Sequence, residues 1–352
     1  MKVLVSAVAL RGSGSRILGE SLVAALDRHG DVDQTAWVPR DWSRVPSKVH
    51  RIAPGFGPKL LHELSIPSRS RMFDAVLSLG DTGTPIPRRP HVLLVQQAHL
   101  AYPADEWGYR PPRRFRTKML ALEAYFRAGM AGVTRFTVQT EDMKQQLSAR
   151  WDLPSERIDV IPSSVLPVPI HEPLKSSRPF ISCVTSAGPH KNLSVLPELL
   201  ATLSDDVDLR ITVASHEVPE LVARCRRLRV FDRVVFEGAV TRERAMSLLA
   251  SSECAVLPSL LESFGFGFYE AMAVGTPVVA ADRGFAREAC GEAARYADPS
   301  SGEDFGRAVN ATLRASRERQ AEASRARFAH VARTWDQIAE SYVASIRRAV
   351  QP

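Results

Sequence analysis

The sequence holds little that would staple, anchor or metallate a fold. It has four cysteines in 352 residues, Cys183, Cys225, Cys254 and Cys290. They are scattered and none forms a Cys-x-x-Cys. That argues against a disulfide frame or a metal site and reads as reduced core thiols in a cytoplasmic protein. No apolar run approaches the ~20 residues that a membrane-crossing helix needs. The N-terminal run MKVLVSAVALRGSG carries one lysine and meets a glycine-rich turn, then a helical pattern. It reads as the first strand of a domain, with a signal peptide as the rival. Low-complexity tracts and short-period repeats are absent. So is any nucleic-acid fold signature beside the net charge of +7. The cationic excess is arginine, concentrated in RPPRRFRTK (110–118) and RCRRLR (224–229). These clusters are either solvated helix faces or contacts for an anionic partner, nucleotide phosphates or a phospholipid surface ahead of nucleic acid.

What is present is an α/β pattern in two halves. A chain of 352 residues, 45% hydrophobic and 24% charged, is soluble-like in composition and long enough for two domains. Residues 2–8 form a β-branched apolar run. RILGESLVAALDRHG follows the Gly/Ser turn at 11–15, with Ile17, Leu18, Leu22, Val23 and Leu26 on one helical face. Apolar runs at 33–38, 73–79, 91–95 and 133–138 predict strands, and 112–130 predicts a long helix. A tract with five prolines between Pro162 and Pro179 then breaks the pattern. A second series of strands and helices runs from 180 to 281, with strands at 180–186, 208–214, 233–236, 254–257 and 277–281. We expect domains at 1–165 and 180–330, a linker at 166–179, and a helical segment at 331–352 that packs back toward the first domain. Such alternation predicts parallel sheets covered on both faces, with ligands at the carboxyl ends of the strands in a cleft between two doubly wound domains.

PSLLESFGFGFYEAMAVGTPVV (258–279) carries the strongest chemistry. CAVLP is a strand, Ser259–Gly265 a loop, and Phe266–Val274 a helix closed by Gly275. A helix start in a glycine-containing loop is an anion site, and Gly265 and Gly267 allow close backbone approach. A carboxylate there would repel a diphosphate unless it accepts hydrogen bonds from neutral hydroxyls. Glu270 is therefore placed on a ribose diol and Glu262 on a sugar; a bland preference of acids for a helix N-terminus explains one of them. In SAGPHKNL, Lys191 lies after a strand and just before a helix. A cation there is unfavourable by roughly 0.3–1 kcal/mol unless an anion joins it.

This stretch resembles the signature of the retaining, family-4 glycosyltransferases of the GT-B fold, with its Glu-x7-Glu element. FEGAVTRERAMSLLASSECAVLPS, FTVQTEDMKQQLSARWDLPSERIDVIPSSV and GPHKNL are similar to further family segments. The resemblance implies two Rossmann-like domains facing each other across a cleft, with a nucleotide-sugar donor on the C-terminal domain. It implies a glycan, lipid-linked or small-molecule acceptor on the N-terminal one, and no metal or other cofactor. Donor contacts then fall on Ser186, His190, Asn192, Phe264, Gly265, Phe266, Gly267 and Glu270, with Lys191 and Glu262 catalytic. Ser186 stands where the family commonly has arginine; Arg16 or His190 could replace that charge, or Lys191 acts alone. Gly14 and Arg16, in RGSGSRILG, are expected over the donor phosphates or in a plain tight turn. The glycine spacing there is a weak dehydrogenase signal. The resemblance also places a histidine, His99 of HVLLVQQAHLAYP, on the transferred sugar; a satisfied loop histidine is the alternative. The rival functions are a catalytically silent sugar-nucleotide binder and a GT-B epimerase. The arginines at 110–118, beside MLALEAYFRAG, add peripheral contact with the inner face of an anionic membrane as an option.

Overall fold

The structure is a computed structural model that describes residues 1–352 except 11, 12, 44, 54, 84–88, 166–173 and 352, and except the side chains of 13, 56 and 60. The chain forms two compact units. One comprises Met1–Glu106, Arg110–Ser164 and Arg333–Pro352; the other comprises Trp107–Tyr109 and Val165–Ala332.

The first unit holds strands β1 (Lys2–Ser6), β2 (Asp33–Pro39), β3 (Val49–Ile52), β4 (Ala75–Leu79), β5 (His91–Leu94), β6 (Arg135–Val138) and β7 (Ile158–Val160). All pair in parallel in the order β3-β2-β1-β4-β5-β6-β7. Parallel strands buried on both faces need continuous apolar sequence, and Val3, Leu4 and Val5 of β1 are fully buried. Its helices are α1 (Ser13–Arg28), α2 (Phe56–Arg69), α3 (Ala98–Ala101), α4 (Arg113–Met130) and α5 (Glu141–Trp151). In α1, Leu18, Leu22, Val23 and Leu26 are buried as the spacing predicts, but Ile17 is 39% exposed at the edge of that face.

The second unit holds β8 (Phe180–Cys183), β9 (Asp208–Ile211), β10 (Val234–Phe236), β11 (Ala255–Leu257), β12 (Val278–Ala281) and β13 (Ala294–Ala297), parallel in the order β10-β9-β8-β11-β12-β13. Helices α6 (Leu196–Ala201), α7 (Pro219–Arg227), α8 (Arg242–Ser251), α9 (Phe266–Ala273), α10 (Gly284–Cys290), α11 (Gly302–Arg314) and α12 (Arg317–Val331) accompany it. Both units are Rossmann-like. The cysteines are all buried and free, and burial pushes Cys183, Cys254 and Cys290 up to about 12.

The last helix, α13 (Trp335–Val350), returns to the first unit. Thr334 caps it: its hydroxyl accepts from the Gln337 amide and its own amide donates to the Gln337 side chain. Trp335, Ile338, Tyr342, Val343 and Ile346 join the same core as β1, β4, β5 and α1. The helical segment expected at 331–352 thus divides, since residues up to Val331 belong to α12 and Trp335 starts α13. Of the proline-rich tract, 166–173 lies outside the described residues.

Candidate functional site

Strand order in the second sheet reverses between β8 and β11. Neighbouring strands there send their following segments in opposite directions, which opens a crevice at their carboxyl ends. The two loops flanking that point carry most of the predicted residues.

The loop after β8 is tied to the Thr212 side chain. The Thr185 amide donates to the Thr212 hydroxyl at 2.7 Å, and that hydroxyl donates back to the Thr185 carbonyl at 2.8 Å. Ser186 is exposed, and its carbonyl accepts from the Gly188 amide at 2.9 Å. Pro189–Lys191 form a 3-10 turn closed by the Lys191 amide on the Gly188 carbonyl. Asn192 follows in the left-handed region at φ 54°, with Nδ2 donating to the Pro299 carbonyl at 2.8 Å. Lys191 therefore does not stand directly before an α-helix, as the sequence suggested. It ends a short turn, a second turn covers Leu193–Val195, and α6 begins only at Leu196.

The loop after β11 meets the first one directly: the Leu260 amide donates to the His190 carbonyl at 2.7 Å. Gly265 caps α9 with φ 78°, a conformation that favours glycine. Phe264 is buried and stacks on Tyr269 with centroids 4.2 Å apart and planes at 6°, so it serves this site through its backbone alone. A Cβ on Gly267 would come within 3.3 Å of Leu257, which shows how closely the helix start packs on β11. The Phe268 amide donates to the Gly265 carbonyl at 3.0 Å, while the Phe266 and Gly267 amides precede any intrahelical acceptor.

Two ion pairs, four charged groups, sit on this frame. Lys191 Nζ and Glu262 Oε1 form an ion pair of 2.5 Å, with side chains only 19% and 16% exposed. Glu270, in the second turn of α9, takes a 3.3 Å bond from Arg242 Nε. Burial raises the Glu270 carboxyl, and the charge of Arg242 opposes the rise. Arg242 was not anticipated. The signal for it was a cation at the first residue of a helix, where the dipole disfavours positive charge.

Of the expected substitutes for the missing cation, His190 does not supply one. Burial, reinforced by the charge of Lys191 and opposed by Glu262, lowers the His190 pKa and favours the neutral ring. The Arg16 guanidinium is held inside the first unit by Glu20 at 2.9 Å and by the Asp41 carbonyl at 2.8 Å. Gly14 lies in the first turn of α1 and not in a loop, and residues 11 and 12 fall outside the described set. His99 is also in the first unit. Its ring is 6% exposed, bonded to Gln97 at 3.2 Å and edge-on to Phe115 at 4.9 Å. The structure thus gathers Lys191, His190, Glu262, Gly265, Gly267 and Glu270 in one unit and keeps Gly14, Arg16 and His99 in the other.

Residues 170–329 match the family described as glycosyl transferases group 1. That match falls within the second unit. The chain is similar to the MMP alpha-(1->4)-mannosyltransferase of Mycolicibacterium hassiacum, 30% identical over 55% of this chain and 49% of that protein. It is also similar to the O-antigen chain mannosyltransferase RfbU of Salmonella typhimurium, 26% identical over 47% of each. The chain spans about half the length of these curated relatives. The solved structure of HepE of Anabaena in complex with UDP aligns over 99% of this chain and 100% of that one, with a TM-score of 0.74 and 16% identity. The fold shared by this chain and its structural neighbours is GT-B.

Proposed function

We propose that the protein is a retaining glycosyltransferase that moves a hexose-type sugar from a nucleotide-sugar donor to a hydroxyl of a glycan, lipid-linked or small-molecule acceptor, without a metal. The single observation that carries this reading is the Lys191–Glu262 pair at the strand reversal, beside the start of α9. A cation and the amides of a helix start suit a diphosphate; carboxylates beside them suit hydroxyls. The mannosyltransferase relatives and the UDP-bound neighbour support the same class of ligand.

In this reading Lys191 and the 264–267 backbone hold the diphosphate, Glu270 takes the ribose diol and Glu262 the sugar hydroxyls. The bond from the anomeric carbon to the phosphate oxygen breaks, and the acceptor oxygen bonds to that carbon on the same face. Its proton passes to the departing phosphate oxygen. His99, packed against Phe115 and bonded to Gln97, has no role in this scheme.

Incubation with UDP-, GDP-, dTDP- and ADP-sugars tests the proposal through thermal stabilisation and nucleotide release. A ligand at ~100 times its Kd adds ~2.7 kcal/mol of stability. Lys191→Ala and Glu262→Ala are each expected to cut turnover by at least about 100-fold, the order seen for lost charge-stabilising groups, while still melting cooperatively. Near wild-type turnover in either variant sinks the assignment.

Peripheral contact with an anionic membrane belongs to the same proposal. Arg113, Arg114, Arg116 and Lys118 are exposed on α4, beside Leu120 at 66% exposure. No helix among the described residues is long and apolar enough to cross a membrane. Co-sedimentation with anionic vesicles that weakens with salt supports the contact; none at low salt removes it.

A further inference from the structure

We infer that Glu262 is a built-in competitor for Lys191, and that this competition makes the site prefer a nucleotide sugar over the bare nucleoside diphosphate. The inference rests on the donor-site reading above and adds a specificity role to it.

The ion pair is short and both side chains are more than four-fifths buried, so salt and water screen it less than a surface pair. Among the described residues Glu262 is the one acid paired with Lys191. A diphosphate that reaches Lys191 must displace the carboxylate and then sits beside it. No nearby cation of the same loop compensates: Ser186 carries no charge and burial holds His190 toward its neutral form. Cys183, the other ionisable group that senses Lys191, is a buried thiol pushed up to about 12 and stays neutral.

The two ligands differ in what they offer the displaced carboxylate. A nucleotide sugar brings hydroxyl donors, so the lost charged hydrogen bond is replaced. A nucleoside diphosphate brings none there, and Glu262 is left desolvated next to like charge. Once the sugar has been transferred, the carboxylate can return to Lys191, which weakens the hold on the product. The same residue thus favours donor capture and product departure.

The test is calorimetric titration of the full chain with UDP, GDP, ADP, dTDP and inorganic pyrophosphate, using wild type, Glu262→Gln, Lys191→Met and the double variant. Glu262→Gln is expected to bind at least one of these diphosphates about tenfold more tightly, equivalent to about 1.4 kcal/mol, while its turnover falls. Lys191→Met is expected to weaken binding, and the double variant to bind no better than Lys191→Met. Glu262→Ala serves as a second removal of the carboxylate should the glutamine variant melt without ligand at the working temperature. If wild type binds a diphosphate through Lys191 and neither Glu262 variant binds it more tightly, the competitor role is overturned and the donor site stands. If none of the proteins binds any of the five probes, the donor-site reading itself falls, and this inference with it.

Discussion

At the scale of single residues, Gly265 has the sharpest constraint in the candidate site. Its φ of 78° suits glycine, and a Cβ there would lie 2.5 Å from the Phe268 ring. Gly265→Ala is expected to cost about 1–3 kcal/mol, the range for strained backbone positions, and to weaken donor binding by moving the start of α9. A melting temperature within a degree of wild type would show that the loop relaxes without strain. The residues that gather here were largely legible from sequence. Glycines before a helix and two acids eight apart have few physical explanations. What the spacing could not show was that Lys191 pairs with Glu262, 71 residues away. That contact exists because β8 and β11 are neighbours in the sheet, and strand adjacency is not written in local pattern. His190 failed as a replacement cation for a reason of the same kind, its burial in the tertiary fold.

At the scale of elements, two buried histidines fasten the first sheet. His62 of α2 bonds the Ser6 hydroxyl of β1 at 2.8 Å, and His91 of β5 bonds Ser78 of β4 at the same distance. Burial lowers both from 6.5 to about 4, with Arg69 contributing at His62. Their folded values lie below the unfolded one, so the unfolded chain binds more protons between these limits. Their stabilisation is complete above pH 6.5 and falls away as pH drops toward 4. Asp159 acts lower still. It joins β7 to Arg135 of β6 at 2.8 Å and to Ser345 of α13 at 2.6 Å. Burial works against its ionisation, but the bonds from Arg135 and Ser345 and the charges of Arg135 and Arg348 outweigh it and bring it from 3.8 to about 2. Thermal melts against pH should therefore show loss of stability below pH 6.5 and a further loss below 3.8; a flat profile from 7 to 4.5 would refute the histidine contribution. Strands such as β1 and β12 were legible as apolar runs. β3, with the burial-poor sequence VHRI, and α12, whose apolar residues follow no strong helical stripe, were not.

At the scale of the whole molecule, the doubly wound plan was readable because strands and helices alternate along the chain, and both sheets are parallel throughout. The first unit draws on two distant stretches. Arg333–Pro352 lies in it although Val165–Ala332 intervenes. Truncation before Arg333 would strip Trp335, Ile338, Tyr342, Val343 and Ile346 from its core. At roughly 1.5–3 kcal/mol per large apolar side chain buried, that loss is comparable to the ~5–15 kcal/mol stability of a typical domain. The shortened chain is expected to lose the cooperative melting of the first unit, and soluble expression with an unchanged melt would contradict this. The same threading sets an order of events on the ribosome. The 165–332 stretch emerges entire and can close by itself, while the earlier-made sheet waits with an open flank for the turns that begin at Trp335. In the interval that flank needs shelter, so a chaperone that holds nascent apolar surface has its longest engagement with the part of the protein synthesised first.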